Sequence, residues 1–421
     1  MTGAAVDDRH GGLDEVHRRY WAKVVAIVAR TYGDLDLAED AAGEAFARAV
    51  ARWPTEGVPD KPDAWLVRVA RNWAVDRLRR EASRDARQAV AHELLMSRAV
   101  SDLPSVGPMA DDRLRLLFTC CHPALAPEAQ VALTLRLTAG LTTAQVARAF
   151  WVPEATMAQR LVRAKRKIKV ANIPYRIPSA DQLPDRISGV LRVVYLVFRE
   201  GYSPSGGDDA MRVDLCDEAI RLGRLVVELL GDHGEALGLL ALLMLHHSRR
   251  DARIGDDGEV VLLAEQDRAR WDHDAIAEGV GLADRALRRS RGSYALQAAI
   301  AACHATSAPG RTDWRAIAAL YGELARIEPS PAVLLNRAVA VAEVDGPAAG
   351  LAVIDSLLST SGGASLARSS HHPHAARADM LRRLGRYRDA AAAYEVAVDM
   401  APTAPERRLL AQRRREALAR V

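Results

Sequence analysis

Cysteine is scarce, and Cys120, Cys121, Cys216 and Cys303 are the only four in 421 residues. Thiols so few and scattered exclude a disulfide-stapled secreted scaffold. Aromatic residues make up only 5% of the chain. Long hydrophobic runs are missing as well. The longest, "ALGLLALLML" at 236–245, is about half of the roughly 20 residues a membrane-crossing helix needs, so it reads as a buried helix. Residues 1–15, with Asp7, Asp8, Asp14 and Glu15, hold no apolar signal-peptide core, and a cytoplasmic protein with no membrane partner is expected. No phosphate loop, Ser-His-Asp order or paired-carboxylate signature occurs, so neither catalytic residues nor a cofactor are expected. The "CCHP" at 120–123 lacks the C-x-x-C spacing of a zinc site, and adjacent residues on a helix diverge by about 100°. Small core residues ahead of a helix-ending Pro123 are expected there, with no metal.

What is present is helical. Ala, Leu and Arg dominate, and nearly every segment shows helical spacing, which predicts an all-α fold. The exception is "RIGDDGEVVLL" at 253–263, whose Asp-Asp-Gly beside a β-branched run predicts a small hairpin. The length suggests two or three domains at about 150 residues each. The Pro/Gly/Ser-rich "SDLPSVGPM" at 101–109 and "IPYRIP" at 173–178 mark breaks, and a softer one lies near 290. Beyond it, Gly385, Tyr387, Ala390, Tyr394, Ala397 and Pro402 follow the small/large/small/Pro spacing of a tetratricopeptide-like helix pair. The pattern recurs more weakly at Ile317, Tyr321, Leu324 and Pro329, and at Ala338, Val341, Ile354 and Leu357. A generic stack of helical hairpins is the alternative.

The net charge of +4 is unevenly spread: residues 1–170 hold 26 Lys+Arg against 21 Asp+Glu, the remainder 32 against 33. The N-terminal part is therefore the candidate for a polyanionic partner. In "LTTAQVARAFWVPEATMAQRLVRAKRKIK" at 141–169, Val146, Ala147, Phe150 and Val152, then Met157, Leu161, Ala164 and Ile168, give two helices one buried stripe each around a turn at 151–154. That is a helix-turn-helix layout, with Trp151 where the turn usually has Gly. Thr156, Gln159, Arg160 and Arg163 face outward as base-edge candidates, and Lys165, Arg166 and Lys167 as phosphate contacts.

Two earlier helices are also unusual. In "DLDLAEDAAGEAFARAV", Asp36, Asp40 and Glu44 line one face, with Glu39 beside them. Like charges at i, i+4 destabilise an isolated helix, so a basic partner is expected; the helix dipole favours only the early acids. In "DAWLVRVARNWAVDRLRREASR", Val67, Ala70, Ala74 and Leu78 are the expected buried stripe, while Arg68, Arg71, Asn72, Arg77, Arg79 and Arg80 gather outside, interleaved with Trp65 and Trp73. Cations and aromatics together suit an unpaired strand; the alternative for the tryptophans is a core role.

In order, these segments resemble the extracytoplasmic-function (ECF) group of the sigma-70 family of RNA polymerase sigma factors. The resemblance implies a sigma region 2 at 13–84, a linker at 85–111 and a region 4 at 112–170. It places Asp36, Glu39, Asp40 and Glu44 against the clamp helices of core RNA polymerase. It assigns −10 promoter DNA to the helix from Trp65 to Arg80 and −35 DNA to the helix from Thr156 to Lys169. Where the family often has Gln, this chain has Gly43. "RLRLLFTCCHPALAPEAQVALTLRLTAGLT", "LVFREGYSP" and "VDLCDEAIRLGRLVVELL" resemble the subgroup with a long C-terminal extension, here an extension domain at 179–290 and repeats at 291–421. Such fusions imply regulation within the chain, through intramolecular contact with the sigma regions or a protein partner on the repeats. Within the extension, Asp214, Glu218, Arg221, His246, His247, Asp267 and Arg268 form a candidate pocket, with interdomain salt bridges as the alternative. Two rival functions remain: a one-component helix-turn-helix regulator sensing a ligand, and an enzyme centred on 195–275.

Overall fold

The computed structural model describes residues 4–84, 109–150, 152–204, 211–255, 259–308 and 310–421. Most of the linker expected at 85–111, and Trp151 in the expected turn, lie outside them. The chain divides into two compact units, Met1–Val193 and Val194–Val421.

In the first unit, α1 (Ala4–Tyr32), α2 (Leu35–Glu56) and α3 (Pro62–Arg84) pack on one another. Asp34 caps α2 by accepting from the backbone N–H groups of Asp36 and Leu37, satisfying donors that have no partner inside the helix. Ala38, Ala42, Ala45 and Ala49 are buried along α2, so its neighbours approach closely. On α3 the fully buried line is Leu66, Ala70 and Ala74. Val67 and Leu78 are only half-buried, a correction of one residue to the expected stripe: α3 buries the i, i+4, i+8 line, which starts one position earlier.

Further along this unit come α4 (Met109–Cys120), α5 (Pro127–Leu133) with a π turn over Thr134–Thr138, α6 (Thr143–Ala149) and α7 (Glu154–Val170). Thr142 and Gln145 form a reciprocal capping box at the start of α6. Met157, Leu161, Ala164 and Ile168 are all buried on α7. Gly140, at φ +77°, lies where a Cβ would come within 2.9 Å of His17 and Trp21; only glycine lets the turn before α6 pass so close to α1. After α7 the Tyr175 hydroxyl is shared between the carbonyl oxygens of Ala26 at 3.0 Å and Asp112 at 3.1 Å.

Helix α8 (Leu183–Tyr202) begins in the first unit and ends in the second. The second unit continues with α9 (Val213–Leu230), α10 (Gly234–His247), the short α11 (Arg250–Arg253), α12 (His273–Arg289) and α13 (Ser293–Thr306). The apolar run at 236–245 forms most of α10 and is buried throughout, as expected for a helix that is hydrophobic all round. The expected hairpin at 253–263 reduces to a single antiparallel bridge, Ile254 to Val260, a correction; each side pairs too few residues for a strand among the described ones.

Seven helices follow: α14 (Trp314–Ile327), α15 (Pro331–Asp345), α16 (Pro347–Leu358), α17 (Ser361–Ser369), α18 (His372–Arg383), α19 (Tyr387–Met400) and α20 (Ala404–Leu418). Proline stands in the first turn of α15, α16, α18 and α20, where its missing N–H costs nothing. Ile317, Leu324, Ala338, Ile354, Leu357, Ala390, Tyr394 and Ala397 are buried, and Tyr321 and Val341 half-buried. No helix among the described residues is long and apolar enough to cross a membrane.

Candidate polymerase and nucleic-acid interface

Asp36, Glu39, Asp40 and Glu44 of α2 are all partnered by cations. Asp40 meets Arg77 of α3 at 2.5 Å, and Glu44 meets Arg48 at 2.8 Å along its own helix. Asp36 and Glu39 point to the helix-turn-helix end of the unit instead. Lys165 of α7 lies 2.5 Å from Asp36 and 2.9 Å from Glu39. Arg136, from the π turn, donates to Glu39 at 2.7 Å and to the carbonyl of Leu141 at 2.7 Å. Its guanidinium also lies 5.4 Å from the Trp21 ring, and the Trp21 indole N–H donates to its carbonyl at 3.2 Å. Lys169 stands 3.5 Å from Asp34. The basic partner anticipated for the acidic face is thus supplied partly by the chain itself.

Burial and charge oppose each other at Lys165. Burial lowers the ammonium pKa, but Glu39 and Asp36 outweigh it and leave it above the ordinary lysine value.

On α7, Gln159, Arg160, Arg163, Arg166 and Lys167 are exposed, Thr156 is half-buried, and Lys165 is turned into the carboxylates. On α3, Arg68, Asn72, Arg79 and Arg80 are exposed. Arg71 is half-buried, and burial pulls its guanidinium below the usual value. Trp65 meets the buried Trp53 edge-on at 5.3 Å, while the Arg77 guanidinium stands 5.3 Å from the half-buried Trp73 ring. The sequence reading missed Arg136 and Trp21. The one available signal was Arg136 itself, a lone cation in the apolar stretch "VALTLRLTAGL".

The seven residues expected to form a pocket in the extension do not converge. Arg212 pairs with Asp214 at 2.8 Å, Arg221 with Glu218 at 2.7 Å, and His247 with Asp217 at 2.9 Å. Asp267 caps a short 3-10 turn, and Arg268 covers the Trp271 ring and donates to the carbonyl of Ser307. Of the seven, His246 alone lines the cavity that α8, α10 and α13 help to form. Residues 246 and 247 are adjacent on α10 and face about 100° apart, so they cannot share one site. Cys120 and Cys121 are buried, and burial raises both thiols, Cys121 to about 11. Neither is poised as a nucleophile or metal ligand.

A helix-turn-helix with a basic outer face, in one unit with an acid-faced three-helix module, defines a DNA-binding transcription protein. The sigma-70 region 2 family matches residues 16–84, sigma-70 region 4 matches 115–168, and a family of unknown function (DUF6596) matches 186–287. The chain is 43% identical over 392 residues to an uncharacterized protein of Rhizobium meliloti (strain 1021), covering 91% of this chain and 90% of that one. It is 28% identical over 207 residues to the probable ECF RNA polymerase sigma factor SigI of Mycobacterium tuberculosis, covering 49% of this chain and 68% of that one. The chain belongs to the ECF group of the sigma-70 family and carries a long helical C-terminal extension.

Proposed function

We propose that this sigma factor binds core RNA polymerase through Asp36, Glu39, Asp40 and Glu44, engages −10 DNA with α3 and −35 DNA with α7, and is regulated by its own extension. Contact between the extension and the sigma regions, or a protein partner on tetratricopeptide-like repeats, would carry that regulation. Trp65, Arg68, Arg71, Asn72, Trp73, Arg77, Arg79 and Arg80 are the −10 set. Thr156, Gln159, Arg160, Arg163, Lys165, Arg166 and Lys167 are the −35 set.

The observation that carries the reading is Lys165 held between Asp36 and Glu39. A residue of the −35 set occupies two residues of the polymerase set, so in this conformation neither surface is fully available. Polymerase, whose clamp would supply the opposing cations, opens the pair; an isolated DNA-binding regulator would have no need of the acids.

In vitro transcription with bacterial core polymerase on the gene's upstream DNA tests this. The full chain is compared with one ending at Ser203, which retains α8, because Arg186 on that helix donates to the carbonyl of Phe118 in the first unit. Core-dependent, promoter-specific transcripts are expected, and a difference between the two chains gives the sign of the extension's effect. A shift of that DNA without polymerase, and no transcripts with it, would transfer the reading to a one-component regulator.

A further inference from the structure

The second unit holds a partly open cavity of about 510 Å³, within the size range of sites for small metabolites. Its lining comes from α8, α10, α11 with Arg249 just before it, Leu263, α13, α14, α15, α18 and α20, so both the segment matched by the family of unknown function and the repeats build it. This is a site of the extension alone, and it stands whether or not the chain initiates transcription.

One part of the wall is cationic and aromatic. The Arg253 guanidinium lies 3.7 Å from the centre of the Tyr202 ring, and Arg249 donates to the Tyr202 hydroxyl at 3.2 Å. Phe198 stacks on Tyr202 with ring centres 5.5 Å apart. Arg249 also lies 2.9 Å from Nδ1 of His246. A guanidinium can only donate, so Nδ1 accepts and the neutral His246 ring carries its proton on Nε2. Arg199, on the exposed side, adds a third cation to the lining.

The opposing charge is small. Glu406 is the single carboxylate in the lining, and it is engaged by the Thr403 hydroxyl at 2.9 Å in a helix cap. No carboxylate among the described residues pairs with Arg199, Arg249 or Arg253, and the buried Nε of Arg249 has no hydrogen-bond partner. Arg249 and Arg253 are half-buried, and an anionic ligand would supply the counter-charge that the wall does not. His304 and His372, also in the wall, are held neutral: burial first, then neighbouring positive charge, pushes each down to about 4. Leu242, Ile300, Leu324 and Val333 provide apolar surface in the same cavity.

We propose that this cavity binds a small anionic molecule with a flat apolar body, its carboxylate or phosphate held by Arg249 and Arg253 and its body seated on the aromatic and aliphatic wall. Guanidinium groups grip both kinds of anion through paired N–H donors, and Tyr195 and Tyr321 add aromatic surface to the aliphatic lining.

The test uses the full chain and the fluorescent probe 8-anilinonaphthalene-1-sulfonate, with N-phenyl-1-naphthylamine as its uncharged counterpart. Saturable binding of the sulfonate is expected, weakened about tenfold or more in Arg249→Met/Arg253→Met and unchanged in Arg311→Met, an exposed residue outside the cavity. Because Arg199 is exposed, Arg199→Glu keeps the fold and weakens binding even if the double variant melts early. Salicylate and adenosine monophosphate are then used as competitors: displacement by the first assigns a carboxylate ligand, by the second a phosphate ligand. Equal binding of the uncharged probe, binding indifferent to the arginine substitutions, or failure of both competitors would overturn the proposal.

Discussion

The Lys165 ammonium lies 2.9 Å from the Glu39 carboxylate across 126 residues of sequence, with both side chains largely out of solvent. Glu39 is held a second time by Arg136. The pair therefore latches α7 to α2, tying together the two surfaces that the proposed function assigns to DNA and to polymerase.

Arg136→Met is expected to loosen that latch without touching the polymerase or DNA residue sets. Removing one partner of a mostly buried ion pair costs on the order of 3 kcal/mol, lessened here because Lys165 still holds Glu39. Hydrogen exchange in segment 134–142 should speed up and core-dependent transcription should rise at limiting sigma factor. Unchanged exchange and unchanged transcription together would show that the latch does not hold the closed state.

Reversing Asp40 and Glu44 to Lys should abolish association with core polymerase and leave the fold intact. Their cation partners, Arg77 and Arg48, are on the surface, and such pairs contribute about 0–1 kcal/mol. Co-purification of the double variant with polymerase at the normal level would reject the clamp contact.

Gly43 is exposed on α2, and a Cβ there meets nothing within 4 Å. Gly43→Gln should stabilise the chain by about 0.5–1 kcal/mol through helix propensity and strengthen core binding by returning the side chain that related factors often carry. Denaturant unfolding and a polymerase binding titration check the two effects separately.

Arg163 is exposed on α7, its Nε 3.4 Å from the carbonyl of Gln159 in its own helix. Arg163→Ala should leave stability unchanged and weaken −35 binding by about 1–3 kcal/mol. Promoter binding equal to the wild type would remove it from the reading set.

Local regularities were legible in the sequence, and long-range partnerships were not. The α7 stripe of Met157, Leu161, Ala164 and Ile168 is buried as the helical period requires, because one helix with one apolar face has one way to lie on a core. The same period on α3 was offset, with Leu66 buried where Val67 was expected, since several small apolar residues there allow neighbouring lines. Lys165 looked like a free phosphate contact because nothing in its own segment reveals carboxylates over a hundred residues away. The cavity was hidden for the same reason: Tyr202, Arg249, His304, Asn336, His372 and Glu406 meet only through the stacking of helices. Neighbours in sequence such as His246 and His247 were grouped and then turned apart.

Acid should unfold the extension earlier than neutral conditions do. His304 and His372 are pushed down to about 4, and burial holds His246 well below its ordinary value. In the unfolded chain each returns to about 6.5. Between those values the unfolded state binds more protons than the folded one, so stability is fully present above pH 6.5 and is lost as the pH falls toward 4. Discounted for partial exposure, His304 and His372 each account for on the order of 2 kcal/mol over that window, and His246 adds in the same direction. Thermal melts of the full chain at pH 7.5, 6, 5 and 4.5 should show a falling midpoint. His304→Asn keeps a neutral hydrogen-bonding group there, smaller than the imidazole, and should flatten the fall; a midpoint constant from pH 6.5 to 4.5 would mean that these imidazoles are not held neutral in the fold.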